Sequence, residues 1–151
     1  MEDATPAEEV ELVNTFMYYG LEKVGFSRKQ IDNSNERLCL QRFVSFFGVC
    51  PKTCKEMFSA LKEVEPFRVK CSMVHFFLTL AWLKSYGTYS VLSGQFKVTE
   101  NTVMKWVWIY AKGIQSLKES KVRRSRKTCS YFLYFMAQFV FSFVYFFYRF
   151  H

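Results

Sequence analysis

Apolar positions recur at three- and four-residue intervals through most of the first 120 residues of the chain, which is the signature of amphipathic helices rather than strands. Leu12, Val13, Phe16, Met17, Tyr19, Leu21 and Val24 predict a short helix over Val10–Val24, closed by Gly20 and Gly25. Residues 1–10 are polar and acidic and read as a disordered leader or a frayed helix start. Ser27–Asn35 is polar and turn-like. Leu38, Leu40, Phe43, Val44, Phe46 and Phe47 predict a helix from Glu36 that Gly48 ends, and Pro51 stands where the next helix can begin. That helix runs to about Lys62 with Cys54, Phe58 and Leu61 on one stripe, and Pro66 interrupts the chain again. Met73–Lys84 is apolar on most of its faces, which places it at the centre of a bundle.

The most informative stretch is Thr88–Lys118. A short helix Tyr89–Phe96, a turn Lys97-Val98-Thr99 and a long helix Glu100–Lys118 make a candidate helix-turn-helix. Thr99 is suited to cap the second helix. Val103, Trp106, Val107, Tyr110, Ile114 and Leu117 form its buried stripe, and Asn101, Lys105, Trp108, Lys112 and Gln115 the opposite face. Phe46–Thr53 also echoes Gln95–Thr102, sharing a Phe, a Val and a Thr in register. Two stacked helix-turn-helix units and chance similarity between apolar helices both account for it. The expected fold is all-α: a small bundle of four or five helices over residues 11–121. Its expected core is Phe43, Phe47, Phe58, Leu61, Phe76, Leu80, Leu92, Phe96, Val103, Trp106 and Tyr110.

Charge sharpens this picture. The 151 residues carry a formal charge of +8, unevenly placed. Acids outnumber bases up to Leu40, whereas from Arg68 to Lys127 the net charge is about +10 with only Glu100 and Glu119 opposing it. Such a field suits nucleic acid or an anionic membrane surface. On a helix-turn-helix the outward face of the second helix enters the major groove, so Asn101 and Lys105 are candidate base contacts, and Lys97 and Lys112 candidate phosphate contacts. Thr99 and Thr102, through hydroxyl or backbone N–H, are candidates to hold a phosphate at the helix start.

Other chemistry is sparse. The only histidines are His75 and His151, and no phosphate loop, nucleophile elbow or paired-carboxylate motif is present. No catalytic residue and no cofactor is expected. Cys50-x3-Cys54 and Cys71-x3-His75 have ligand-like spacing and make zinc an alternative, but thiols among apolar neighbours more often pack as small hydrophobes. The acidic N-terminus shows no secretory signal, so the thiols are expected reduced and the chain nuclear or cytoplasmic.

The runs FFGVCPKTCKEMF, VHFFLTLAWLKSYGTYSVLSGQF, KVTENTVMKWVWIY and KGIQSLKESKV resemble the region preceding the nuclease in Harbinger-type transposases and related DDE-superfamily endonuclease-like proteins. The likeness covers about Leu38–Val122 and is strongest over LSGQFKVTENTVMKW. It implies a helix-turn-helix that binds transposon DNA. The catalytic acids of that family lie in a downstream ribonuclease-H-like domain, and nothing in this sequence matches them, so the resemblance implies a binding fragment that is not an enzyme.

After a basic linker at 122–129, residues 130–151 are dominated by Phe, Tyr and Val. Residues 130–150 are long enough to span a bilayer, with the Arg123–Lys127 cluster holding the preceding side in the cytosol. The alternative function is accordingly a tail-anchored membrane or protein-interaction module. The same composition also arises by translation of pyrimidine-rich sequence, because Phe, Tyr, Ser, Leu, Val and Cys have thymine-rich codons.

Overall fold

The computed structural model describes residues 5–65 and 67–122, with side chains through Leu117. The described residues form seven helices and no strand: α1 Pro6–Lys23, α2 Arg28–Asp32, α3 Glu36–Phe47, α4 Pro51–Lys62, α5 Met73–Ser85, α6 Tyr89–Phe96 and α7 Glu100–Val122. The architecture is all-α. The linker beyond Val122 and the aromatic stretch 130–151 lie outside the described residues. Among the described residues no helix is long and apolar enough to cross a membrane.

Two starts differ from the sequence expectation. α1 begins at Pro6, inside the stretch read as a leader, because Thr5 and Glu8 form a reciprocal capping box and Pro6 occupies the first helical position. The Thr5 amide donates to Glu8 Oε2 at 2.8 Å, and the Glu8 amide donates back to Thr5 Oγ1 at 3.4 Å. Nothing before Phe16 is buried, so apolar spacing carries no trace of this first part of the helix. The stretch expected as a turn contains α2, capped in the same way by Ser27 and Gln30 and anchored by the buried Ile31.

The remaining elements follow the predicted breaks. Gly48 ends α3 in the left-handed region (φ 77°), a conformation that glycine adopts without steric cost, and Pro51 starts α4. α5 buries every residue from Phe76 to Leu83, because α3, α6 and α7 all pack around it. α1 lies across α3 and α4, and α4 also reaches α7. Phe16, Phe43, Phe47, Phe58, Phe76 and Phe77 form a connected aromatic centre, with Phe43–Phe47 centroids at 4.7 Å and Phe47–Phe77 at 4.8 Å. Tilted and edge contacts of this kind suit the ring quadrupoles. α1 comes this close because Gly20 has no side chain: a Cβ there would stand 2.7 Å from Phe43 Cε2.

Of the expected core, Phe43, Phe47, Phe58, Leu61, Phe76, Leu80, Leu92, Phe96, Val103 and Tyr110 are buried. Trp106 is the exception, only partly buried at the edge, where its ring lies parallel to His75 with centroids 4.6 Å apart.

The echo between Phe46–Thr53 and Gln95–Thr102 has a backbone counterpart. Gly48 and Lys97 are both left-handed caps. Each is followed by a valine and then by the residue whose carbonyl opens the next helix: Cys54 N–H donates to Cys50 O, and Val103 N–H to Thr99 O, both at 3.0 Å. Phe47 and Phe96 enter the core before the turn, and Cys54 and Val103 after it. α3–α4 and α6–α7 are thus two helix pairs built on the same three-residue turn.

Candidate nucleic-acid interface

The turn between α6 and α7 is held from both sides. The backbone amides of Lys97 and Val98 both donate to Ser93 O, closing α6 as a left-handed cap does. Val98 packs on the core beneath, leaving the Lys97 side chain exposed at the corner. Thr99 takes the capping position that its residue type suggests: its Oγ1 accepts from Thr102 N–H at 3.3 Å and lies 2.8 Å from Thr102 Oγ1. The two hydroxyls therefore engage each other. The amides of Glu100 and Asn101, which by helix geometry lack intrahelical acceptors, are left as the donors facing outward from the start of α7.

α7 has two distinct faces. Val103, Val107, Tyr110, Ala111, Ile114 and Leu117 are buried. Asn101, Lys105 and Lys112 are exposed and follow one another at four- and seven-residue steps, which align them on one side of a helix. Lys105 Nζ extends over the Trp106 ring, 5.5 Å from its centroid. Among the described residues the ion pairs are Lys52–Glu9 at 3.7 Å and Arg68–Glu65 at 3.9 Å, and neither involves this face. Glu100 is the one acid in the first turn of α7, where it favours the helix dipole but opposes an approaching phosphate.

Two further residues of this face carry information that the lysine pattern did not show. Met104 stands exposed beside Asn101 and Lys105. Trp108 fills the gap between Lys105 and Lys112, half-buried and in ring contact with Trp82 of α5, centroids 5.8 Å apart. Helical spacing in the sequence already places Trp108 on this outward face, whereas Met104 is assigned to neither face from the sequence.

The zinc alternative finds no support in the geometry. Among the described residues no group of three or more His, Cys, Asp or Glu side chains is placed to hold a metal, so Cys50, Cys54, Cys71 and His75 do not converge. Cys50 is exposed with its Sγ 3.1 Å from Thr53 Oγ1, while Cys54 is buried. Burial, reinforced by Cys50, pushes the Cys54 thiol well above its ordinary range. Burial also raises Cys71, against the hydrogen bond from Tyr110 and the nearby Lys62.

Searches against protein-family models, curated proteins and solved structures find no match to this chain.

Proposed function

We propose that this protein binds double-stranded DNA, with α6, its turn and α7 acting as a helix-turn-helix and the Asn101–Lys105–Lys112 face of α7 lying in the major groove. The observation that carries the reading is the division of α7: one side is sealed into the core and the other presents aligned cations and an amide, with no ion pair to an acid among the described residues. A helix fixed in this way presents its side chains without further ordering, which favours binding. Lys97 at the turn would meet one flanking phosphate, and the free amides of the first turn of α7 another. The likeness of Leu38–Val122 to the pre-nuclease region of Harbinger-type transposases points the same way, as does the basic balance of this half of the sequence.

Salt titration of binding tests the proposal. If Lys97, Lys105 and Lys112 each neutralise a phosphate, the log–log slope of affinity against salt is near −3, about −0.9 for each contact. Lys105→Ala lowers affinity by roughly 1–3 kcal/mol and changes sequence preference if Lys105 reads a base. Affinity that is unchanged between low and physiological salt overturns the reading.

Binding without cleavage is part of the proposal. DDE-type phosphoryl transfer needs carboxylates converging on two metal ions about 3.5–4 Å apart. The nearest acids in sequence, Glu56, Glu63 and Glu65, sit on α4 and just after it, where Glu65 pairs with Arg68. Supercoiled plasmid incubated with the protein and magnesium or manganese stays intact; nicking abolished by Glu56→Gln or Glu63→Gln is the contrary result.

A further inference from the structure

The outward face of α7 is not uniformly polar. Met104 is 48% exposed there, and Trp108 follows one helical turn later at half-burial. Trp108 is braced from behind by Trp82, which is itself buried and meets Tyr86 edge-on at 6.0 Å. The indole is therefore held in place by packing before any ligand arrives. By helical spacing the exposed Asn101, Lys105 and Lys112 run along one side of this pair, so a polyanion attracted by the cations is drawn up beside the apolar ridge.

The major groove offers a matching feature. Lysine and asparagine address the hydrogen-bonding edges of guanine and adenine, and the one base-edge group with no hydrogen-bonding capacity is the C5-methyl of thymine. Apolar side chains are what recognise it. We propose that Met104 and Trp108 form an apolar ridge that packs against thymine methyl groups of duplex DNA, giving the basic face a preference for thymine-containing sites. The inference rests on the DNA-binding reading above.

Replacing thymine by uracil removes the methyl and leaves charge and pairing groups unchanged. Fluorescence anisotropy is measured with an alternating dA·dT duplex and with its dA·dU counterpart. The full chain binds the thymine duplex more tightly, by about fourfold for each methyl buried. Met104→Ala, a change at an exposed position, loses that preference while keeping the salt slope. Trp108→Phe, which retains a ring against Trp82, narrows it. Equal affinity for the two duplexes with a salt slope near −3 overturns the ridge and leaves the DNA-binding reading standing. Salt-independent binding to both, or none to either, overturns the two together.

Discussion

The hydroxyl of Tyr110 holds both backbone polar groups of Ser72: it accepts the Ser72 N–H at 2.6 Å and donates to the Ser72 carbonyl, 3.1 Å away. It also lies 3.7 Å from Cys71 Sγ. Ser72 is the N-cap of α5 and makes no side-chain cap of its own, so the middle of α7 supplies what the start of α5 lacks. Tyr110→Phe keeps the buried ring against Phe67 (centroids 4.7 Å apart) but strands the Ser72 amide. The expected loss is about 1–3 kcal/mol of unfolding free energy, read by urea denaturation with helical content unchanged in the native baseline. A variant as stable as the parent shows that water replaces the hydroxyl.

Two helical glycines respond oppositely to alanine. A Cβ on Gly113 would collide with Phe67 Cε2 and stand 3.0 Å from Leu61 Cδ2, and both neighbours are buried. Overpacking of about 1–3 kcal/mol outweighs the gain in helix propensity, so Gly113→Ala lowers the unfolding midpoint. Gly94 in α6 has nothing within 4 Å of the same position among the described residues, and Gly94→Ala raises stability by about 0.5–1 kcal/mol. Thermal unfolding of the pair separates the effects; a stabilised Gly113→Ala protein contradicts the close approach of α7 to Phe67.

Lys97 occupies a left-handed conformation (φ 54°) that Gly48 takes in the equivalent turn (φ 77°). A side chain there is strained, so Lys97→Gly raises stability by up to about 1 kcal/mol. If the lysine meets a phosphate, the same change weakens DNA binding and makes the salt slope shallower by about one unit. Measuring stability and affinity on one variant distinguishes a residue kept for binding from one merely tolerated at a turn.

Burial, followed by the nearby Lys70, lowers the His75 imidazole from its ordinary value of 6.5, and its Nδ1 is buried without a hydrogen-bond partner among the described residues. The Tyr110 ring stands 6.4 Å away, Trp106 is stacked on the imidazole, and Lys105 lies over Trp106. The unfolded chain therefore takes up this proton at higher pH than the folded one. The corresponding stability is fully present above the unfolded value and is lost as pH falls through the lower, folded one. Unfolding free energies measured from about pH 7.5 down to 5 should decline less steeply in His75→Phe than in the parent. Parallel curves remove His75 from the acid response.

Helix ends marked by Gly48, Pro51 and Thr99 were legible because each residue type has a specific backbone role at a terminus. The first part of α1 and the whole of α2 escaped because their capping pairs, Thr5–Glu8 and Ser27–Gln30, sit in polar stretches that bury little beyond Ile31. Trp106 was expected inside because it fits the spacing of Val103, Val107 and Tyr110. It lies instead at the edge of the core, stacked on His75. The outward direction of Asn101, Lys105 and Lys112 followed from helical period alone. Spacing within Cys50–Cys54 and Cys71–His75 was legible too, but it carries no information on the distance between α4 and α5. That distance is set by tertiary packing.

Eight consecutive residues of α5, Phe76–Leu83, have no face toward solvent, and the elements that enclose them come from both ends of the chain. Such a segment has no stable partly wrapped form, since removing either neighbouring helix pair leaves bulky apolar side chains in water. Its amide hydrogens should exchange only through opening of the whole bundle, at a rate that reports global stability. During synthesis, α5 must also leave the ribosome before α6 and α7 exist to cover it. That interval is when this chain is most exposed to aggregation and to capture by chaperones.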